Sequence, residues 1–530
     1  MIERLQEWVS LRALQSPDSV AVVCRGEKTT YTQLDALTNQ LARMLIEKGC
    51  QRGDRICLLL PKSTAAIVGI LGILKAGCAY VPLDPACPAA RLTKVVETCG
   101  SEWILAGSGS AAVLDELVAA TGIRVGWLDR DDSAAGLKQA TAEFTLAGLA
   151  SVSEAPLDPR NTSIDPAYIM FTSGSTGNPK GVVITHSNVI HFVEWAVDYF
   201  QLGDGEKLSG HSPLHFDLSV FDVFGAFAAG AELHLVTPDL NVLPNKLAAF
   251  IRDSQLTQWF SVPSALNYMA KFDVVRPGDF PHLKRLLWCG EVLPVPVLAY
   301  WMQRLPHVTF TNLYGPTEAT IASAYYTVPG CPEDLRAAIP IGAPCAGEKL
   351  YVMDDNLQPV APGVTGRLYI QGVGLSPGYY RDPVKTGEAF VQSSCGPACG
   401  ERLYHTGDLA RVGQDGLVYF LGRADSQIKS RGHRIELGEV LTALNALESL
   451  RESAVVAIPT SGFEGAIICC AYVAQPQRDV SPAVLRSELS KLLPGYMLPT
   501  RWMAMQELPK NANGKIDTRV LKEQFPLEIS

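Results

Sequence analysis

Over most of the first four hundred residues, short apolar runs alternate with stretches of helical spacing. Residues 55–60 and 79–83 read as buried strands, while residues 63–76 and the segment after Pro88 carry apolar positions at helix periodicity. This alternation predicts parallel sheets covered by helices, an α/β class. Around residues 339–378 the texture changes to short strands broken by Gly and Pro, including residues 349–353, the turn Pro362-Gly363 and residues 366–371. That pattern suggests a small barrel or distorted sheet attached to the large domain. After an apolar run at 417–420 comes the polar segment Gly422-Arg423-Ala424-Asp425-Ser426-Gln427, and then a new series of strands and helices. The division expected is therefore a large N-terminal domain over 1–421, a connection at 422–427, and a small α+β C-terminal domain over 428–530. Loose structure is expected near Ser108–Ala112 and Ser393–Gly400, both rich in small residues.

The most distinctive stretch is Thr172-Ser173-Gly174-Ser175-Thr176-Gly177-Asn178-Pro179-Lys180-Gly181, between apolar runs at 167–171 and 181–184. Its glycines let backbone amides turn toward an anion, its hydroxyls add donors, and Lys180 supplies a positive charge. The spacing from Gly174 to Lys180 does not fit GxxxxGK[ST], and the flanks read as two strands rather than a strand and a helix. The loop is thus a phosphate-gripping loop of another kind.

Composition narrows the partners. The chain has 530 residues, a net charge of -9 and a pI near 5.6, which argues against nucleic acid or an anionic membrane as the main partner. No apolar run reaches membrane-spanning length, and the N-terminus reads as an amphipathic helix rather than a signal peptide. Thirteen cysteines, an odd number scattered through apolar segments, suggest reduced thiols in the cytoplasm. Cys395 and Cys399 have no second ligand pair near them in sequence, so they read as a loop rather than a zinc site.

Several further blocks follow the loop: Asn312-Leu313-Tyr314-Gly315-Pro316-Thr317-Glu318, Tyr404-His405-Thr406-Gly407-Asp408-Leu409, Gly422-Arg423-Ala424-Asp425, and Arg431-Gly432-His433-Arg434-Ile435-Glu436-Leu437-Gly438-Glu439. In this order they resemble the adenylate-forming superfamily from end to end. His215-Phe216-Asp217-Leu218-Ser219, Leu493-Pro494-Gly495-Tyr496 and Asn513-Gly514-Lys515-Ile516-Asp517 make the chain most similar to amino-acid adenylation domains of nonribosomal peptide synthetases.

The resemblance implies ATP and Mg2+ as cofactors. Thr172, Ser173, Gly174, Ser175, Thr176, Gly177 and Lys180 would hold the phosphates, Glu318 the metal ion, and Thr317 the α-phosphate. Tyr314, Asn312, Gly315 and Gly290 would receive adenine, with Asp408 and Arg423 at the ribose. Lys515 would be the catalytic cation of a C-terminal domain that swings about Asp425, and the loop 431–435 would face the substrate in one of its poses. His405 stands where arginine is common and Arg367 where glutamate is common, departures that touch the surroundings of the ribose and the small sheet.

Asp217 maps to the carboxylate that holds a substrate ammonium in this family; its other reading is a helix cap. By the same mapping Leu218, Phe221, Ser261, Leu287, Cys289, Leu313, Ile321 and Ala322 line the side-chain pocket. They carry no formal charge, so the substrate expected is a small or medium apolar amino acid, proline first and alanine or another small aliphatic next. The sequence shows no carrier segment, so the acyl group would pass to a separate carrier protein bearing phosphopantetheine. The rival readings are an acyl-CoA or aryl-acid ligase of the same superfamily and a non-catalytic nucleotide-binding protein.

Overall fold

The computed structural model describes residues 2–129, 137–138, 140–174, 177–393, 400–460, 466–476, 480–510 and 516–525. Lys515, Ser175, Thr176, Cys395 and Cys399 lie outside the described residues.

Two large sheets form the N-terminal part. One has eight strands in the order Gly378–Tyr379, Lys180–Thr185, Pro166–Thr172, Ala79–Pro82, Arg55–Leu59, Trp103–Ala106, Arg124–Trp127 and Ala142–Thr145. The other has nine: Ala343–Pro344, Ala324–Thr327, Thr309–Tyr314, Arg285–Cys289, Gln258–Ser261, Lys207–Gly210, Glu232–Leu235, Val20–Cys24 and Glu27–Thr30. Their central strands are parallel and antiparallel pairs stand at the edges, as expected where helices cover both faces.

Strand alternation sorts the core into three layers. Ile56, Leu58, Leu105, Leu208 and Leu287 point into a central cluster shared with the helices Tyr31–Glu47, Thr64–Lys75, His186–Tyr199 and Leu218–Ala229. Cys57, Leu59 and Ile104 face the outer helices Ala89–Cys99 and Ala111–Thr121. Leu286, Trp288 and Phe310 face the helices on the far side of the second sheet. Helix starts are fixed locally: the Ser63 hydroxyl accepts from Ala66 N at 3.2 Å, and Thr185 forms a capping box with Asn188.

A distorted five-stranded antiparallel sheet follows, built of Glu348–Met353, Gly366–Gly372, Phe390–Gln392, Arg402–Val412 and Val418–Arg423. There His405 stacks on Tyr369, and Arg367 pairs with Asp355 at 2.7 Å. The last strand runs on to Arg423, paired with Asp408, so the irregular connection is shorter than the polar sequence suggests. Apolar clusters beyond residue 427 are built without any residue that precedes it, around a hairpin (Gln427–Ser430, His433–Glu436), the helix Leu437–Asn445 and a three-stranded sheet.

One expectation is corrected. Residues 108–112 are not loose: a turn at Ser108–Ser110 leads directly into the helix Ala111–Thr121. The buried Ser110 hydroxyl donates to the carbonyls of Leu59 and Gly107 at 2.9 Å, and those bonds hold a segment whose composition suggests a linker. Among the described residues, no helix is long and apolar enough to cross a membrane.

Candidate active site at the carboxyl ends of the strands

In an open α/β sheet the loops leaving the carboxyl ends of parallel strands converge, and that is where the sequence blocks meet. Thr172, Gly210, Ser261, Cys289 and Tyr314 each end a strand, and the segments that follow carry the candidate chemistry.

The phosphate-type loop is the turn of an antiparallel hairpin, with Thr172 opposite Lys180. Gly177 N donates to Gly174 O at 3.0 Å and Gly177 has φ +82°, a conformation that favours glycine. A Cβ on Gly174 would lie 2.0 Å from Asn178 O, so that position admits glycine alone. The Thr172 hydroxyl is buried and has no hydrogen-bond partner. Ser173 and Gly174 are engaged by the C-terminal lobe. Ser173 Oγ donates to Arg434 O at 2.8 Å and accepts from Glu436 N at 3.2 Å, while Gly174 N donates to Glu439 Oε2 at 3.2 Å.

Glu318 lies at the centre. It is fully buried in the turn Thr317–Ala319, and its carboxylate meets Lys180 Nζ at 3.3 Å, Tyr379 OH at 2.8 Å and Arg434 Nη1 at 2.6 Å. Burial alone would raise this carboxyl, but Arg434 and then Lys180 and the Tyr379 hydroxyl reverse the effect and hold it far below the usual carboxylate range. Lys180 is lowered as well: burial and the neighbouring Arg434 outweigh the pull of Glu318. A groove of about 380 Å³ opens beside Lys180, lined by Lys94, Asn178, Tyr379, Arg381 and Lys385 among others.

Thr317 stands between this cluster and Asp217, whose charged form its hydroxyl favours. Asp217 precedes the helix Leu218–Ala229 but makes no side-chain cap, so the capping alternative has no support here. Burial pushes the Asp217 carboxyl up to about 6, although the Thr317 hydroxyl pulls the other way. It is a buried carboxylate in want of a cation.

Leu218, Phe221, Leu287, Cys289, Leu313, Ile321 and Ala322 join one apolar cluster beside it. Cys289 stays a neutral thiol, pushed up to about 12 by burial. Ser261 is fully buried at the end of its strand, in register with Trp288. Thr320 and Ile321 both have positive φ, 57° and 69°, which folds Ile321 and Ala322 back over Tyr314-Gly315. A Cβ on Gly315 would come within 2.5 Å of Ala322 Cα, so glycine is required there for the fold-back.

On the other side Tyr314 OH donates to Asp408, and Arg423 Nη1 donates to the second Asp408 oxygen at 2.6 Å. Arg423 also grips Asp425 through two bonds, at 2.7 and 2.6 Å. Asn312 Nδ2 donates to Pro340 O at 2.9 Å, which leaves one amide hydrogen of this side chain for a ligand. Gly290 has φ +96° beyond its strand end.

The structure thus gathers Thr172, Ser173, Gly174, Lys180, Asp217, Thr317 and Glu318 around one site, with Tyr314, Asp408 and Arg423 forming a second network. Sequence reasoning did not single out four participants. Tyr379 sits on the edge strand beside Val182; Lys429 lies with Nζ 5.9 Å from the centre of the Tyr314 ring; Arg91 and Glu439 form a buried ion pair between the lobes. Glu439 ends a quoted motif, whereas Arg91 is a lone arginine in a helix start with no local signal.

The chain belongs to the AMP-binding enzyme family: residues 9–380 match the AMP-binding enzyme model and residues 439–515 the AMP-binding enzyme C-terminal domain. It is 36% identical over 524 residues to tyrocidine synthase 3 of Brevibacillus parabrevis, covering 98% of this chain and 8% of that relative's length. Among solved structures it is similar to the Vibrio cholerae adenylation domain AlmE in complex with glycyl-adenosine-5'-phosphate. There the TM-score is 0.84 at 26% identity, covering 98% of this chain and 97% of that one. It is also similar to holo-PA1221, an NRPS protein containing adenylation and PCP domains, with a TM-score of 0.80 at 25% identity over 99% of this chain and 85% of that one.

Replacing Glu318 by Gln would leave Arg434 and Lys180 buried side by side without their anion. The expected cost is about 3–5 kcal/mol in urea unfolding at neutral pH. Because Glu318 is depressed in the folded state, its contribution is present above its ordinary value near 4.5 and fades below it. Glu318→Gln and wild type should therefore converge as the pH falls; equal stability at pH 7 would contradict the assignment of Glu318 as the charge hub.

Proposed function

We propose that this chain activates a small or medium apolar α-amino acid with ATP, forming an aminoacyl adenylate and pyrophosphate, and passes the acyl group to the phosphopantetheine thiol of a carrier protein. The observation that carries the reading is Asp217: a buried, raised carboxyl beside an uncharged apolar cluster, with Thr317 between it and the Glu318–Lys180 pair. An ammonium group would satisfy it, and fatty or aryl acids have none to offer. The glycyl adenylate in AlmE and the carrier domain in PA1221 support the same two half-reactions. Proline remains the first candidate substrate, with alanine and other small aliphatic residues next. Free thiols among the described cysteines suit a cytoplasmic setting.

In the first half-reaction the substrate carboxylate attacks the α-phosphorus, and the bond to the bridging oxygen breaks to release pyrophosphate. Ser173, Gly174, the unpartnered Thr172 hydroxyl and Lys180 would hold the β- and γ-phosphates once the C-terminal lobe withdraws. Tyr314, Asp408 and Arg423 would take the nucleoside, with Asn312, Gly315 and Gly290 at its base. Among the described residues no cluster of three His, Cys, Asp or Glu side chains forms a metal cage. A magnesium ion delivered with the nucleotide needs one carboxylate besides phosphates and water, and Glu318 fits that donor set when Arg434 leaves it. Bound there, the ion would neutralise charge on the phosphate oxygens. Lys515 would enter with the swung lobe to neutralise charge between the carboxylate and the α-phosphate, the motion turning near Asp425. In the second half-reaction the thiolate attacks the acyl carbonyl and AMP departs.

Amino-acid-dependent exchange of labelled pyrophosphate into ATP tests the reading. Exchange with proline, alanine or a similar apolar amino acid is expected. Lys515→Ala should lower it by several orders of magnitude while the protein stays folded. Exchange with benzoates or fatty acids instead, or with no acid, would overturn the proposal.

The raised Asp217 carboxyl gives a second test. Its ligand-free folded form favours the proton, whereas a bound ammonium favours the ionised form. Apparent amino-acid affinity should therefore climb as the pH rises through about 6 and level off above it. Asp217→Asn should flatten this profile and lower kcat/KM by roughly 10²- to 10³-fold; an unchanged profile would remove Asp217 from the ammonium site.

A further inference from the structure

The buried pair Arg91–Glu439 crosses between the lobes and shares its carboxylate with the phosphate loop. Arg91 stands in the first turn of the helix Ala89–Cys99, with its side chain 9% exposed, and its Nη1 donates to Glu439 Oε1. The other oxygen of the same carboxylate accepts from Gly174 N at 3.2 Å. Two donors from the large lobe, a guanidinium and a backbone amide, thus converge on one anionic group brought by the small lobe. The helix that carries Glu439 is seated over the loop: a Cβ on Gly177 would come within 2.8 Å of the Thr442 methyl. The helix therefore covers Gly174 and Gly177 of the loop. When the helix leaves, Arg91 and Gly174 N remain behind as a paired donor site without its anion, and guanidinium with backbone amide is a donor set suited to phosphate oxygens.

We propose that Arg91 belongs to the phosphate-binding machinery, and that Glu439 in this pose stands where an oxygen of the terminal phosphates or of pyrophosphate sits in the other. The inference rests on the reading of residues 172–181 as the phosphate loop. It makes the two anions exclusive occupants of one seat, so departure of pyrophosphate is what lets Glu439 dock. A simple latch between lobes predicts the opposite response to mutation: loss of either partner would free the loop and improve phosphate binding.

Calorimetric titration of the full chain with magnesium pyrophosphate separates the two. Glu439→Gln, which removes the competing anion, should tighten binding several-fold. Arg91→Met should weaken it by roughly 10- to 100-fold, Arg91→Lys should fall between Arg91→Met and wild type, and the double variant R91M/E439Q should stay weak. The Arg91→Lys value keeps the test valid if Arg91→Met folds poorly. Tighter binding by Arg91→Met, or pyrophosphate affinity unchanged by both Arg91 substitutions, would overturn the proposal. Failure of wild type and Glu439→Gln alike to bind pyrophosphate would overturn the phosphate-loop reading itself, and this inference with it.

Discussion

The interaction on which the site depends is the three-way contact of Glu318 with Lys180 and Arg434. One carboxylate, wholly removed from water, is kept ionised by two cations from different parts of the chain: Lys180 from the hairpin of the large lobe and Arg434 from the hairpin of the small one. A buried charge stripped of its partners is costly, so whatever withdraws Arg434 must be accompanied by another cation. A nucleotide arriving with its metal ion brings one. On the proposed reading, the carboxylate that holds the lobes together here would hold the nucleotide's metal ion in another state.

Part of the contact between the lobes follows that logic. The C-terminal hairpin and helix use the donors a triphosphate would use, Ser173 Oγ and Gly174 N among them. Gly432 N donates to Glu291 at 2.7 Å, and His433 stacks on Tyr496 while its edge meets Phe216 beside Asp217. These contacts come from residues 427–445, whereas Ile516 belongs to a separate apolar cluster of the lobe. The edge of the lobe that faces the site is the one bearing Arg434.

Much of this was legible in the sequence because its signals are local. Alternating apolar runs give the sheets, the turn residues of 172–181 give a hairpin loop, and Gly315 and Gly174 stand where a side chain would strike backbone. Asp217 could be picked out through the family resemblance of residues 215–219. The pairings that complete the site carry no such mark. Gly174 meets Glu439 across 265 residues and Arg91 meets it across 348, and the partner of a lone arginine in a helix start is set by tertiary packing alone. The looseness expected at 108–112 failed for a related reason. Composition records what a small polar residue permits, while the fate of Ser110 was decided by the Leu59 carbonyl, which lies on a neighbouring strand and needs a donor.

Hydrogen exchange on the full chain, with and without a non-hydrolysable magnesium ATP analogue, tests the central claim most directly. If nucleotide and small lobe compete for Glu318 and the phosphate loop, the analogue should slow exchange at Gly174 and speed it at Gly432 and Glu436, whose amides are released from Glu291 and Ser173. Slower exchange at all three would show the two occupying the site together and would contradict the account.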